Sequence, residues 1–307
     1  MSDLEIVNLS RKLEIDIAID LKGYTLNSRS KLFAYRLAPI QINYLGYPGT
    51  LGSSFIDYLV ADKTLIPPEF RNCYKEKIIY LPNSYQPNDD KRIISKDTTS
   101  RSNFDLPIKG FVFCCFNTSY KITPEEIEVW SNILNKVNNS IIWLIDTDVV
   151  AKKNIVQTFK NKKIDETRIK FAKNLPHNKH LERIKHADLF LDTFNVNAHT
   201  TCSDTLWAGV PLVTKIGNQF AARVASSLLK AVNLDELITT SNEQYEKMAL
   251  KLATNKDYLN SIKKKLTNNK ENLNLFNTKK YTENFEKALT LIYNRKLQGK
   301  DNCDFEI

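Results

Sequence analysis

The residues able to do chemistry are concentrated between positions 171 and 214. All four histidines of the chain lie there, at His177, His180, His186 and His199. The run Asn197-Ala198-His199-Thr200-Thr201 brings a histidine, two hydroxyls and consecutive backbone N–H groups to a helix expected to begin near Cys202. Unpaired amides and the positive end of the helix dipole converge at such a terminus, which makes it a seat for an anion. Asp204 stands one turn further on, where its carboxylate could accept two ribose hydroxyls. A nucleoside diphosphate suits both features. Lys121 follows an apolar run at 111–116 and can supply a cation to the same place.

Each residue also has a plainer reading. His180, on an amphipathic helix, could be a surface histidine, and His177 and His186 are assigned to surface or structure. Lys121 could be a solvated lysine, Asp204 an acid favoured by the helix dipole, and Thr200 and Thr201 helix caps. Asp146-Thr147-Asp148 has the D-x-D spacing of a metal loop but reads as two loop aspartates at a strand end. The constellation is stronger than any member. A cation with a helix terminus can hold a diphosphate without metal, so no metal and no cofactor are expected.

The elements that must position these residues follow from periodicity. Leu181, Ile184 and Ala187 have helical spacing over 178–187, and Leu189-Phe190-Leu191 closed by Asp192 reads as a buried strand. Gly209 ends the next helix, and Pro211 opens the strand Leu212-Val213-Thr214. Upstream, 111–116 and 141–145 are apolar strands, and Thr123-Pro124-Glu125-Glu126 is a capped helix start. Strands at 141–145 and 168–172 alternate with a helix at 150–162, which means a doubly wound parallel sheet, where ligands sit outside the carboxyl ends of the strands. Lys121 and His199 both follow such ends. Residues 15–20, 40–44, 58–61 and 78–82 are further strands, too few to close a core. The loop Leu45-Gly46-Tyr47-Pro48-Gly49-Thr50 follows one of them, with Gly46 and Gly49 freeing the backbone for unusual φ and close approach to a ligand. Residues 83–107 are polar and read as a connection, with the linker proper at 96–107. Helices are expected at 219–229, 241–253, 256–268 and 279–295.

Composition bounds the answer. With 42% apolar residues and only 8 Gly and 10 Pro in 307, the chain is globular. The net charge of +9 is scattered, which favours an anionic small ligand over nucleic acid. Five cysteines without C-x-x-C spacing imply a reducing compartment, without a disulfide frame or zinc site. No apolar run approaches the ~20 residues of a membrane span. A cytoplasmic protein is expected.

Several long segments together resemble the catalytic region of the protein O-GlcNAc transferase family, which includes the SPINDLY-type enzymes. They are LAPIQINYLGYPGTLGSSFIDYLVAD (37–62), CFNTSYKITPEEIEVWSNIL (115–134), HNKHLERIKHADLFLDT (177–193) and NAHTTCSDTLWAGVPLVT (197–214). Shorter matches are DLKGYT (20–25), FAARVASSLL (220–229) and LFNTKKYTENFE (275–286). The resemblance implies an α/β fold of the GT-B type: two Rossmann-like lobes with the nucleotide sugar in the cleft, held mostly by the C-terminal lobe. Residues 1–95 would be the later part of an incomplete N-terminal, acceptor-side lobe, 108–276 the nucleotide-sugar lobe, and 277–307 a helix crossing back, with a tail. It further implies that Lys121 contacts the diphosphate, His180 packs on the base and Arg183 lies near it. His199, Thr200 and Thr201 would bind pyrophosphate and sugar, Asp204 the ribose, and Leu45, Gly46, Tyr47 and Pro48 would wall the sugar pocket. Lys121 and His199 are the catalytic candidates.

The implied function is metal-independent, inverting transfer of GlcNAc from UDP-GlcNAc to Ser or Thr of an acceptor protein. A SPINDLY-like fucosyl transfer from a GDP-sugar, or a nucleotide-sugar-binding pseudoenzyme needing a partner chain, are the alternatives. Two positions that touch the donor elsewhere in the family differ here: His177 replaces a lysine, and Thr118 a longer glutamine. The histidine-bearing segment that opens the family's catalytic region has no counterpart, nor is a 34-residue repeat visible. A separate chain could supply the missing segment, and the general base is unassigned.

Overall fold

The computed structural model describes residues 1–268 and 270–307. The chain divides into two compact units, the first made of Met1–Asn88, Asn218–Ala221 and Asn274–Ile307, the second of Asp89–Gly217 and Ala222–Leu273.

The first unit opens with α1 (Asp3–Lys12), whose start is closed by a capping box between Ser2 and Glu5. Then come β1 (Ile17–Asp20), α2 (Lys31–Ala34), β2 (Ile40–Asn43), β3 (Tyr58–Ala61) and β4 (Lys77–Tyr80). The strands are short, and β2 (IQIN) and β3 (YLVA) are buried along their whole length, as parallel strands covered on both faces are, with the buried Gln41 of β2 donating to the Phe33 carbonyl at 2.8 Å.

The second unit carries β5 (Phe111–Cys115), α3 (Pro124–Lys136), β6 (Ser140–Ile145), α4 (Val149–Asn161), β7 (Ile169–Ala172), α5 (His177–Ile184) and β8 (Leu189–Leu191). It continues with α6 (Thr200–Trp207), β9 (Leu212–Lys215), α7 (Val224–Ala231), β10 (Ile238–Thr239), α8 (Asn242–Thr254) and α9 (Lys256–Thr267). The strands are parallel in the order β10-β9-β8-β5-β6-β7. Counted within the unit this is the 3-2-1-4-5-6 order of a doubly wound Rossmann sheet, read from its far edge. The order reverses between β5 and β8, so the loops after those two strands flank the switch point. The expected helix at 219–229 is instead a 3-10 turn (Phe220–Ala222) followed by α7.

The chain's end returns to the first unit as α10 (Thr278–Leu297) and β11 (Phe305–Glu306). Ala288 and Ile292 of α10 are buried against Ile40, Ile42, Tyr58 and Val60. β11 pairs with β4, giving the order β1-β2-β3-β4-β11. This corrects the reading of the last residues as a tail. A two-residue strand has no periodicity to betray it, and it is held by Asp304, which accepts from the Ile78 amide at 2.8 Å and pairs with Arg71. β1 forms the opposite edge, with Leu13 and Leu21 exposed beside it.

Residues 96–107, expected to be a linker, are fastened to the second unit. Thr99 donates to Glu182 (2.6 Å) and meets His186 (2.7 Å), and Arg101 pairs with Asp188 (2.7 Å). Polar composition marked the stretch as irregular but could not distinguish a free linker from a strap bonded through its side chains.

Candidate functional site

At the carboxyl end of β5 the chain enters the loop that carries Thr118 and Lys121. At the carboxyl end of β8 it enters the loop 192–199. The switch point brings the two together: Lys121 Nζ donates to the Asn197 carbonyl at 2.9 Å. Thr118 is exposed and precedes the 3-10 turn Ser119–Lys121 without a side-chain capping bond. The second loop delivers His199 as the N-cap of α6, half-buried, with backbone angles φ −99° and ψ −94°. Because α6 starts at Thr200, two residues earlier than expected, Thr200 and Thr201 occupy its first turn and are not its caps. Their amides belong to the unpaired set at the positive end of the helix.

Asp204, one turn into α6, is buried. One carboxylate oxygen takes a hydrogen bond from Arg92 Nη1 at 2.6 Å, and the other lies 3.1 Å from His177 Nε2. Arg92 also reaches Ser203 Oγ (3.1 Å) and lies over the Trp207 ring at 5.0 Å. Burial lowers its pKa, opposed by the Asp204 charge. Sequence reasoning passed over Arg92, which lies far from α6 in the chain. His177, assigned to surface or structure, is a partner of Asp204.

His180 and Arg183 share one face of α5. Arg183 Nε donates to His180 Nδ1 at 2.9 Å, Arg183 Nη1 donates to the Lys173 carbonyl, and the guanidinium lies over Phe116 at 5.4 Å. The His180 ring meets Phe116 edge-on at 5.3 Å. Burial, then the charges of Arg183 and His177, push the His180 pKa down to about 4, so the ring is neutral at neutral pH. Burial pushes Arg183 down to about 10. Arg183 lines a cavity of about 440 Å³ with Phe104, Trp143, Phe171 and Leu175. His186 is structural, packed on Phe104 at 5.3 Å and bonded to Thr99.

Beneath the Lys121–Asn197 contact lies Asp192, fully buried, with its pKa pushed up to about 7 by burial against the pull of Thr214, Ala198, Lys121 and Thr193. Asn117 Nδ2 bonds Thr193 Oγ1 at 2.7 Å. The buried amide oxygens of Asn117 and Asn197 have no donor. Buried acceptors are rarely left so, and a site awaiting a ligand is one place where they are. An aspartate directly after an apolar strand was the available signal for Asp192.

Leu45, Gly46, Tyr47 and Pro48 follow β2 in the first unit. Here the expected conformations are corrected. Neither Gly46 nor Gly49 has positive φ; Leu45 does, at 71°, in a turn whose Gly46 N–H bonds the Tyr44 carbonyl at 2.9 Å. Gly46 is required for another reason: a Cβ there would stand 2.1 Å from the Leu21 carbonyl oxygen. The close approach is to the chain itself. Asn43 Nδ2 ties the loop by donating to the Gly49 carbonyl at 2.9 Å.

The D-x-D pair has other tasks. Asp146 pairs with Lys152 at 2.7 Å, and Asp148 caps α4 by accepting from the Ala151 amide at 2.9 Å. Among the described residues, no three His, Cys, Asp or Glu side chains gather as a metal-holding group, and no helix is long and apolar enough to cross a membrane.

Comparison with known proteins agrees with this architecture. The sequence profile of glycosyl transferase family 41 matches residues 8–98 and 90–285. A probable UDP-N-acetylglucosamine–peptide N-acetylglucosaminyltransferase, SEC of Arabidopsis thaliana, is 36% identical over 313 residues, covering 100% of this chain and 32% of that protein. A probable enzyme of the same description, SPINDLY of Petunia hybrida, is 28% identical over 307 residues, covering 97% of this chain and 32% of that protein. The chain thus spans about a third of the length of these curated relatives. A solved mutant O-GlcNAc transferase of Thermobaculum terrenum superposes with a TM-score of 0.90 at 28% identity, over 97% of this chain and 57% of that one. The fold is of the GT-B type.

Proposed function

As the chain belongs to glycosyl transferase family 41, we propose that it binds a nucleotide sugar and takes part in its transfer to protein. The donor is UDP-GlcNAc and the acceptor a Ser or Thr hydroxyl. The relatives' names support the donor and acceptor, and the observation that carries the reading is the meeting of Lys121 with the loop before α6 at the sheet's switch point.

The chemistry follows from that geometry. The hydroxyl oxygen attacks the anomeric carbon as that carbon's bond to the diphosphate breaks, the hydroxyl proton passes to a base, and the configuration inverts. Negative charge grows on the leaving phosphate. In this reading Lys121 and the amides of Thr200 and Thr201 are the donors that meet it, and donors already held in place need little reorganisation. His199 stands at the same terminus as a further donor to the pyrophosphate. Each Asp204 oxygen keeps a lone pair beside its Arg92 or His177 contact and with it accepts from the ribose, and the neutral His180 ring packs on the base. This set does the work of a metal, and Asp146 and Asp148 are committed to other bonds. Five free cysteines, two adjacent and buried in β5, support a reducing compartment such as the cytoplasm.

The test is calorimetric titration with UDP, GDP and UDP-GlcNAc, beside assays of hydrolysis and of peptide glycosylation. UDP binding in preference to GDP is expected. A preference for GDP would overturn the donor assignment, and no binding to any of them would remove the nucleotide-sugar reading. Binding without turnover would show that catalysis needs sequence beyond these residues, such as a separate chain.

A further inference from the structure

We propose that Asp192 is the positioning residue of this site, clamping residues 193–198 so that the loop presents Asn197 to Lys121 and delivers His199 to the start of α6. The proposal rests on reading that site as the seat of a nucleoside diphosphate.

One carboxylate oxygen closes the loop. Asp192 Oδ1 accepts from the Thr193 amide (2.9 Å) at the loop's first residue and from the Ala198 amide (2.7 Å) at its last. It also lies 3.2 Å from Asn117 Nδ2, which comes from the loop after β5. Oδ2 accepts from Thr214 Oγ1 at 2.7 Å, and the Asp192 carbonyl from the Tyr245 hydroxyl at 3.0 Å. β9 and α8 therefore hold the clamp from outside.

The rest of the loop is tied to the same frame. Glu126 of α3, fully buried, accepts from the Phe194 amide at 2.8 Å. Asn197 Nδ2 donates to the Thr193 carbonyl at 2.8 Å, and Thr193 Oγ1 to the Val196 carbonyl at 2.6 Å. The backbone that Lys121 touches is thus tied to the buried carboxyl group of Asp192. Asparagine at 192 would offer one acceptor oxygen and two donors. Its oxygen would accept from the Thr193 and Ala198 amides without the charge that strengthens those bonds, its NH2 would face Thr214 Oγ1, and the Thr214 hydroxyl hydrogen would lose its acceptor.

Three variants of the full 307-residue chain test this: Asp192→Asn, Thr214→Val, which removes one donor to the clamp, and Thr214→Ser, which keeps it. Hydrogen exchange of peptides covering 193–201 reads the loop, and calorimetry with UDP reads the site. In Asp192→Asn, exchange across 193–198 should rise at least about tenfold while β5 and β6 stay protected, and UDP should bind about tenfold more weakly. Adding Lys121→Met to Asp192→Asn should then cost far less than it does in the wild type, because the lysine's partner has already moved. Thr214→Val should shift both readouts the same way by less, and Thr214→Ser should restore them. Unchanged loop exchange, or fully additive losses with Lys121→Met, would overturn the proposal. A merely structural role would lower overall stability without that coupling. If Asp192→Asn fails to fold, the Thr214 pair decides. If the wild type does not bind UDP, the nucleotide reading fails, and loop exchange alone decides the clamp.

Discussion

Replacing Arg183 by methionine tests how α5 holds its histidine. The guanidinium makes two part-buried hydrogen bonds, to the Lys173 carbonyl and His180 Nδ1, and a hydrogen bond to a charged group contributes roughly 1.5–3 kcal/mol. Against this stands the release of a buried charge. Burial holds Arg183 at about 10 instead of 12.5, which at 1.36 kcal/mol per pH unit is ~3 kcal/mol. The guanidinium borders a cavity, so solvent screening reduces that figure to ~2 kcal/mol. Methionine fills the space of the stem and keeps contact with the Phe116 ring, so packing loss is small. The net expectation is a destabilisation of ~2 kcal/mol at pH 7, read by urea denaturation.

The same substitution should move His180. Its pKa is held near 4 first by burial, then by the Arg183 charge, then by His177. Without Arg183 it should rise, but remain below 6.5 because burial persists. A depressed histidine refuses in the folded state the proton that the unfolded chain takes up below about pH 6.5, so stability present at pH 7 is lost as the pH falls toward 4. For the wild type that loss is up to ~3 kcal/mol from this group, and in Arg183→Met it should be smaller. NMR titration of the His180 ring and denaturation at pH 7 and pH 5 are the assays. An unmoved His180 titration, or stability at pH 7 within ~0.5 kcal/mol of wild type, would refute the reasoning.

Other predictions are shorter. Lys121→Ala should weaken UDP binding by roughly 1.5–3 kcal/mol, the worth of a charge-assisted hydrogen bond; an unchanged dissociation constant in calorimetry would take Lys121 out of the site. Any transfer or hydrolysis activity should survive EDTA, and its complete loss would return Asp146 and Asp148 to consideration. Gly46→Ala should destabilise the first unit by ~1–3 kcal/mol, because the new methyl meets a backbone oxygen that cannot swing away; a denaturation midpoint equal to wild type would contradict that. Asp304→Ala should release β11 and cost ~2 kcal/mol, seen as rapid hydrogen exchange at 304–307 and at the Ile78 amide.

Much of the second unit was legible because its signals are local. Alternating apolar strands and capped helices such as Thr123-Pro124-Glu125-Glu126 announce a doubly wound sheet, and that topology alone sends the loops after β5 and β8 to one switch point. Lys121 and His199 could therefore be paired across about eighty residues. The motifs at 177–193 and 197–214 carried the family. What the chain order could not disclose is which distant side chains complete the site. Asp204 looks like an acid awaiting hydroxyls, yet Arg92, from the polar stretch 83–107 read as a connection, and His177, assigned to surface or structure, already meet its two oxygens. Leu45 adopts the left-handed conformation expected of Gly46 and Gly49, and Gly46 is needed instead for its approach to the Leu21 carbonyl of another loop. β11, two residues long, becomes a strand only because β4 offers an edge and Arg71 and the Ile78 amide a seat for Asp304. Periodicity and capping are written in neighbouring residues and survive in a bare sequence. Hydrogen-bond partners of a buried carboxylate are chosen by what folding places within 3 Å of it, and that is decided in three dimensions.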